Sequence, residues 1–408
     1  MRKTLVCLMG LMMIVGLVSF AQTTEVEVWV WGQLTVDLMA GLESAFEAAY
    51  PAYDAVFVPK AAAEYNTILT TALQGGVGPD VFFVRTNPMP AEFAAAGFIQ
   101  PVDEIVPLVA AYDDSQLAAL SYEGRPYGIP YATVAFPIYY NPEIFAANGV
   151  SIPQTWAEFL AVCQTLADNG VTPIAMTNTN WVMSEIVHPI VAASFLSDAW
   201  LEDLVAGNVD YTAPEFVRTY EALEEMRPYF AEGWEALSYQ DMRVMFANGE
   251  AAMVLDGNWS APSFLTMNED AVYDFFILPG PDGPGRMYWR LDAGWGINAD
   301  LDPEVDEAAV AFLNFLAGPT AGEILGRDLG LLTVQPGTRL FLAADITTRM
   351  NEARDAYGVS IQYGVGGPFD WNAPTVSSSI GETTAGVLLD AITPAEAAAM
   401  VQETVDQQ

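Results

Sequence analysis

Positive charge is scarce in this chain. Fourteen Lys and Arg stand against 52 Asp and Glu, a formal net charge of −38, and the only lysines are Lys3 and Lys60. A surface of that sign repels a nucleic-acid backbone and an anionic membrane, so neither is expected as a partner. Cysteine is limited to Cys7 and Cys163. Cys7 falls in the apolar N-terminal run, which leaves no intrachain disulfide, and Cys163 reads as a small buried apolar residue. His188 is the sole histidine. It cannot build a usual zinc site, and no Ser-His-Asp set has a plausible arrangement around it. Gln74–Asp80 is glycine-rich but precedes a strand and lacks the Lys-Ser/Thr pair of a phosphate loop. No cofactor or metal is therefore expected. Beyond residue 21, no apolar run is long enough to span a membrane.

What is present points to a folded, secreted, two-part chain. At 408 residues it is long for one core. With 52% hydrophobic and 12% aromatic residues, disorder over most of its length is excluded. Arg2 and Lys3, the apolar run Leu5–Phe20 and the small residues before Gln22 have the form of a secretory signal over residues 1–21. An uncleaved anchor is the alternative, since the run is barely long enough to span.

After it, Val26, Val28 and Val30 alternate with Glu25, Glu27, Trp29 and Trp31, a strand pattern. Leu38, Leu42, Phe46 and Ala49 recur at helical spacing up to Pro51. Asp54–Pro59 is a second strand, Tyr65–Leu73 a second helix stopped by Gly75-Gly76, and Val81–Val84 a third strand. This β-α-β-α-β order implies a mostly parallel sheet with helical crossovers. Thr155–Glu158 and Thr393–Glu396 read as capping boxes. Val171–Met176, Ala251–Leu255 and Asp274–Pro279 read as further strands, and Ala308–Leu316 as a helix ending at Gly318-Pro319.

Several stretches then occur in a familiar order. Gly78-Pro79-Asp80-Val81 is followed by Tyr127-Gly128-Ile129-Pro130-Tyr131, with Tyr139-Tyr140-Asn141 and Phe145 after it. Pro153-Gln154-Thr155-Trp156-Ala157-Glu158-Phe159 and Phe246-Ala247-Asn248-Gly249-Glu250-Ala251-Ala252-Met253 come next. Together they resemble the extracellular solute-binding proteins of bacterial ABC importers, in the maltose-binding-protein-like sugar group (family 1). The resemblance implies an α/β, two-lobe periplasmic-binding-protein-like fold. Each lobe would be a mostly parallel sheet flanked by helices, and hinge strands would join the two. By analogy the chain crosses between lobes near Val134–Ile138, near Phe276–Pro279 and near Gly318-Pro319. Residues 22–135 and 280–318 would then form lobe one, and 136–279 and 319–408 lobe two. The resemblance also implies a monomer that docks on membrane permease subunits.

Ligands of open α/β sheets sit beyond the carboxyl ends of strands. Trp259 follows the Ala251–Leu255 strand and Trp31 ends the first one. Trp295 stands between Gly294 and Gly296, Trp371 follows Asp370, and Trp181 precedes a helical run. Indoles in loops would be costly without something to cover. A sugar is such a partner, because its C–H faces fit the negative face of an indole. Its hydroxyl rim needs donors and acceptors, for which Gln33, Arg85, Asn87 and Asp292 are the candidates. Tyr131 lies at the start of the presumed hinge. The rival class is a secreted glycoside hydrolase, which needs two carboxylates at a defined separation; Asp256, Asp292 and Asp370 are nearest the tryptophans. A binder of another small solute, such as a phosphate ester or an amino-acid-like ligand, is a third possibility. An anionic solute would need clustered arginines, of which only Arg85, Arg286 and Arg290 lie in suitable segments.

Overall fold

The computed structural model describes residues 23–31, 36–61, 64–86, 88–329, 331–338, 345–360 and 375–407. Residues 1–22, with the stretch read as a signal, lie outside them. The described strands, in chain order, are β1 (Thr24–Trp31), β2 (Tyr53–Lys60), β3 (Val81–Arg85), β4 (Ser121–Tyr122), β5 (Arg125–Pro126), β6 (Ile129–Phe136), β7 (Ile138–Tyr140), β8 (Thr172–Ala175), β9 (Ala251–Leu255), β10 (Asp274–Phe276), β11 (Met287–Ile297), β12 (Leu332–Thr333) and β13 (Gly358–Ser360). They form two main sheets, each with its own apolar core, and a small β4–β5 hairpin.

The first sheet has the order β12-β6-β11-β3-β1-β2, with β13 also paired to β11. β1 runs parallel to β2 from Thr24↔Tyr53 to Trp31↔Lys60, and parallel to β3 on its other side. The helices Val36–Ala49 and Tyr65–Gln74 make the crossovers. In β1, Val26, Val28 and Val30 are buried, and so are Trp29 and Trp31 on the opposite face. A sheet covered on both sides needs no polar face. β11 runs antiparallel to both β3 and β6.

The second sheet has the order β10-β7-β9-β8, with β8 and β9 parallel. The chain leaves the first sheet at Pro137, between β6 and β7. Proline has no N–H for a ladder, so it fits the break. The chain returns between β10 and β11. Gly318-Pro319 is not an exit from the first lobe, against the expectation from resemblance. Ala321, Ile324 and Leu325 of the Pro319–Leu329 helix enter the same core as Phe312, Leu313 and Leu316, and β12 then pairs with β6. Gly318-Pro319 ends one helix and starts the next at a bend of 64°. The return to the second core follows β12, because the helices Val376–Leu388 and Pro394–Asp406 pack there.

Thr393 and Glu396 close a reciprocal capping box. At the other expected box, the Thr155 hydroxyl accepts from the Glu158 N–H, but the Glu158 carboxylate takes the Gln154 N–H at 2.7 Å instead. Cys163 is fully buried, which pushes its thiol pKa up. Among the described residues, no single helix is long and apolar enough to cross a membrane.

Candidate functional site

The carboxyl ends of the parallel strands carry a different chemistry in each lobe. In the second lobe β9 ends at Leu255 and runs into Asp256-Gly257-Asn258-Trp259. Asp256 is wholly enclosed. It accepts from the Tyr239 hydroxyl at 2.8 Å, the Ser260 hydroxyl at 2.6 Å and the Gly257 N–H at 2.8 Å, with Arg243 Nε at 3.6 Å. Burial raises its pKa, against the pull of Arg243 and these donors.

The loop is tied to the crossing strand β6 as well. Asn258 Oδ1 accepts from the Ala135 N–H at 3.0 Å, and the Asn258 N–H donates to the Ala135 carbonyl at 2.9 Å. Held this way, the loop projects Trp259. Its indole folds back over Gly257, where a Cβ would lie 2.2 Å from the ring. The indole N–H donates to the Tyr239 hydroxyl at 2.8 Å, and the ring meets Phe136 edge-on at 5.4 Å. Trp181 lies edge-on to Tyr239 at 4.7 Å and is 38% exposed. Trp181, Tyr239 and Trp259 are thus linked in one aromatic set. Beside it, β8 continues into Thr177, Asn178 and Thr179, which supply hydroxyl and amide groups.

In the first lobe the corresponding edge is charged. The Arg85 guanidinium lies 4.7 Å over the face of Trp31, and its Nε donates to Asn66 Oδ1 at 3.2 Å. Because β11 is antiparallel to β3, Ala293 stands opposite Arg85, and Asp292 and Arg290 fall at the same edge. Asp292 Oδ1 is 3.5 Å from Arg290 Nη1. Burial raises the Asp292 pKa, opposed first by Arg290 and then by Arg85. Arg290 Nη2 also donates to Glu185 Oε2 of the second lobe at 2.8 Å. The sequence profile of the family described as bacterial extracellular solute-binding protein matches residues 31–323.

The chain belongs to that family.

Among the relatives of this solute-binding protein is the maltotriose-binding protein of Pyrococcus abyssi, 24% identical over 308 residues, covering 73% of this chain and 64% of that one. The osmoprotective compounds-binding protein GgtB of Synechocystis sp. is 32% identical over 149 residues, covering 34% of this chain and 35% of that one. The chain thus matches about one third to just under two thirds of these relatives' own length. In three dimensions it is similar to a chitin oligosaccharide binding protein, with a TM-score of 0.79 at 21% identity, over 94% of this chain and 98% of that one. That likeness extends over both lobes and fixes the fold as the two-lobe periplasmic-binding-protein type.

The structure of this solute-binding protein revises several candidate residues. Trp295 is not in a loop. It lies on β11 opposite Phe83 and is 0% exposed, in the core of the first lobe. Its flanking glycines are close-approach positions inside a strand. A Cβ on Gly294 would come 2.5 Å from Leu120, and one on Gly296 would come 2.6 Å from Ile99. Tyr131 is also core, packed edge-on to Trp295 at 5.5 Å, with its hydroxyl buried and without a hydrogen-bond partner among the described residues. Trp31 is buried beneath Arg85, so it supports the guanidinium and offers no free stacking face. Gln33, Asn87, Asp370 and Trp371 lie outside the described residues.

Arg85 ends β3, Asp292 lies within β11 beside that end, Trp259 follows β9, and Trp181 lies in the short helix Asn180–Val182 after β8. Tyr239 joins them without a sequence signal for the site, and Glu185 reaches the edge only through Arg290. Tyr239 follows Ser238 in a reciprocal Ser238–Asp241 capping box, which marks a helix start and says nothing of its direction.

A hollow of about 730 Å³ is lined by Gly78, Asp80, Phe98, Asn298 and Asp302. It opens at the amino ends of the strands, away from the aromatic set, and Asp80 there accepts the Glu27 N–H at 2.8 Å as a structural tie. We assign the site by its chemistry and strand polarity, not by the size of the hollow.

Proposed function

We propose that this chain is the solute-capturing component of an ABC importer, taking a neutral mono- or oligosaccharide between its lobes and delivering it to a membrane permease. One observation carries the reading. The aromatic set of Trp181, Tyr239 and Trp259 lies beyond the carboxyl ends of β8 and β9, in the lobe facing Arg85 and Asp292. Indole and phenol faces take the C–H side of a sugar ring, and the guanidinium and carboxylate take its hydroxyls. The maltotriose and chitin-oligosaccharide binders among its relatives favour the same ligand class. Sugar touching both lobes shifts the population toward a closed form, and the permease would read that form.

A hydrolytic role is disfavoured. Asp256 is enclosed by three hydrogen-bond donors and the Arg243 guanidinium and is closed off from a glycosidic oxygen, and Asp292 lies beside Arg290. A non-sugar polyol is the second reading, favoured by the mannitol-binding protein of Pseudomonas aeruginosa, 23% identical over 265 residues.

Trp259→Ala tests the assignment. It removes a half-buried ring at the rim of the loop and is expected to weaken sugar binding at least about tenfold, on the order of 1.4 kcal/mol, with the fold intact by circular dichroism. Gly257→Ala leaves the ring in place chemically but pushes it off its seat, since the new Cβ would overlap it at 2.2 Å. It should weaken binding in the same direction. Unchanged affinity in both variants, measured by calorimetric titration, would count against Trp259 as a ligand contact.

A further inference from the structure

We propose that Glu185 and Arg290 form a latch between the lobes that sets solute affinity without touching the solute. The inference rests on the two-lobe capture reading and adds a positioning pair to it. Arg290 belongs to β11 of the first sheet, where it pairs with Val134 of β6. Glu185 belongs to the second lobe, in a π-helical turn, Met183–Val187, whose Met183, Ile186 and Val187 are buried in the second core. The two side chains meet at 2.8 Å, with the Arg290 side chain 12% and the Glu185 side chain 36% exposed. The guanidinium end is sheltered, so the pair is screened by salt less than one exposed at both ends.

The local backbone explains why Glu185 is held where it is. Pro189 has no N–H to give to the carbonyl four residues back, which is that of Glu185, and its ring would clash there. The chain widens into a π turn over those residues, a form that often marks functional positions. From behind, the Val376–Leu388 helix presses close. A Cβ on its Gly381 would lie 3.0 Å from Asn180 O and from Ser184 Cβ. Glu185 is therefore fixed by its own lobe, and Arg290 is fixed by a β-ladder in the other. Asp292, 3.5 Å from the second guanidinium nitrogen, keeps Arg290 partly compensated when Glu185 is absent.

A bond between two independently fixed lobes favours the arrangement in which their edges meet. Apparent solute affinity scales with the population of that arrangement. Removing the latch should therefore open the solute-free protein and weaken binding together, though no ligand contact is lost.

The test uses the full mature chain with Glu185→Gln and Glu185→Ala. X-ray scattering without solute is expected to show a larger radius of gyration for both variants than for the wild type, returning to the wild-type value when a bound sugar saturates the site. Affinity for that sugar should fall about five- to tenfold. An unchanged solute-free radius would overturn the latch. If affinity fell with the radius unchanged, Glu185 would be a direct ligand contact and the latch would be wrong. If the wild type bound no sugar at all, the capture reading would fail, while the solute-free radius would still decide the latch.

Discussion

Asp256→Ala is expected to lower stability by about 3–5 kcal/mol, the cost of stranding a buried charge. Arg243 is nearly buried itself, stacks on Tyr239 at 5.0 Å, and has Asp256 as its ion-pair partner. Without the carboxylate, the guanidinium is left uncompensated in the interior, and the hydroxyls of Tyr239 and Ser260 lose their acceptor. Each buried donor left unmade adds a desolvation cost. Asp256→Asn keeps one acceptor oxygen and should cost less than the alanine variant. The effect also reaches the site, because Tyr239 accepts the indole N–H of Trp259, so sugar affinity should fall in the variant that still folds. Urea unfolding checks the first effect. A loss within about 0.5 kcal/mol, the range of ordinary surface changes, would contradict the enclosed network.

Stability is expected to fall as pH drops below about 6.5, with His188 as the cause. His188 is 0% exposed, packed between Phe216 and Tyr220, with Nε2 at 3.1 Å from the Thr219 hydroxyl. Burial alone lowers its pKa from 6.5 to about 3. The unfolded chain therefore takes up the proton first. Between the two values the unfolded state binds more protons, and stability rises with pH at up to about 1.4 kcal/mol per unit. The contribution is complete above the unfolded pKa and is lost progressively as pH falls toward the folded one.

Asp103, Asp241 and Glu396 are held low by their hydrogen bonds and lose stabilisation at lower pH, whereas Asp256 and Asp292 are raised and act against His188 where they titrate. His188 is the only histidine in the chain, so its own contribution to the slope is isolated by replacing it. His188→Gln should flatten the slope between the folded and unfolded pKa of the imidazole. Equal slopes for the variant and the wild type would contradict a buried neutral imidazole.

The parts of the fold written in local chemistry were legible. The alternation of Val26, Val28 and Val30, the stop at Pro51 and the Gly75-Gly76 break specify the opening parallel unit, because a strand and a helix each bury a periodic face. The position of Trp259 beyond β9 was legible for the same reason, since a strand that has just surfaced leaves its next residues at the carboxyl edge. Trp295 misled because Gly-Trp-Gly has one spelling and two causes. Glycine frees a loop, and it also lets Leu120 and Ile99 pack against a strand. Gly318-Pro319 misled in the same way, since a helix corner and a lobe exit use the same pair. Tyr239 and Arg243 share one helix and meet Asp256 only through tertiary packing, as Glu185 meets Arg290. No local period announces such a meeting, and the Pro189-driven turn that aims Glu185 is a backbone effect of one missing donor.

The most direct measurement is calorimetric titration of the wild-type protein with a panel of neutral oligosaccharides, monosaccharides and polyols, alongside phosphate esters and amino acids. The account expects saturable binding of a neutral carbohydrate and no binding of the ionic solutes. Saturable binding of an ionic solute, with no heat from any neutral carbohydrate, would contradict it.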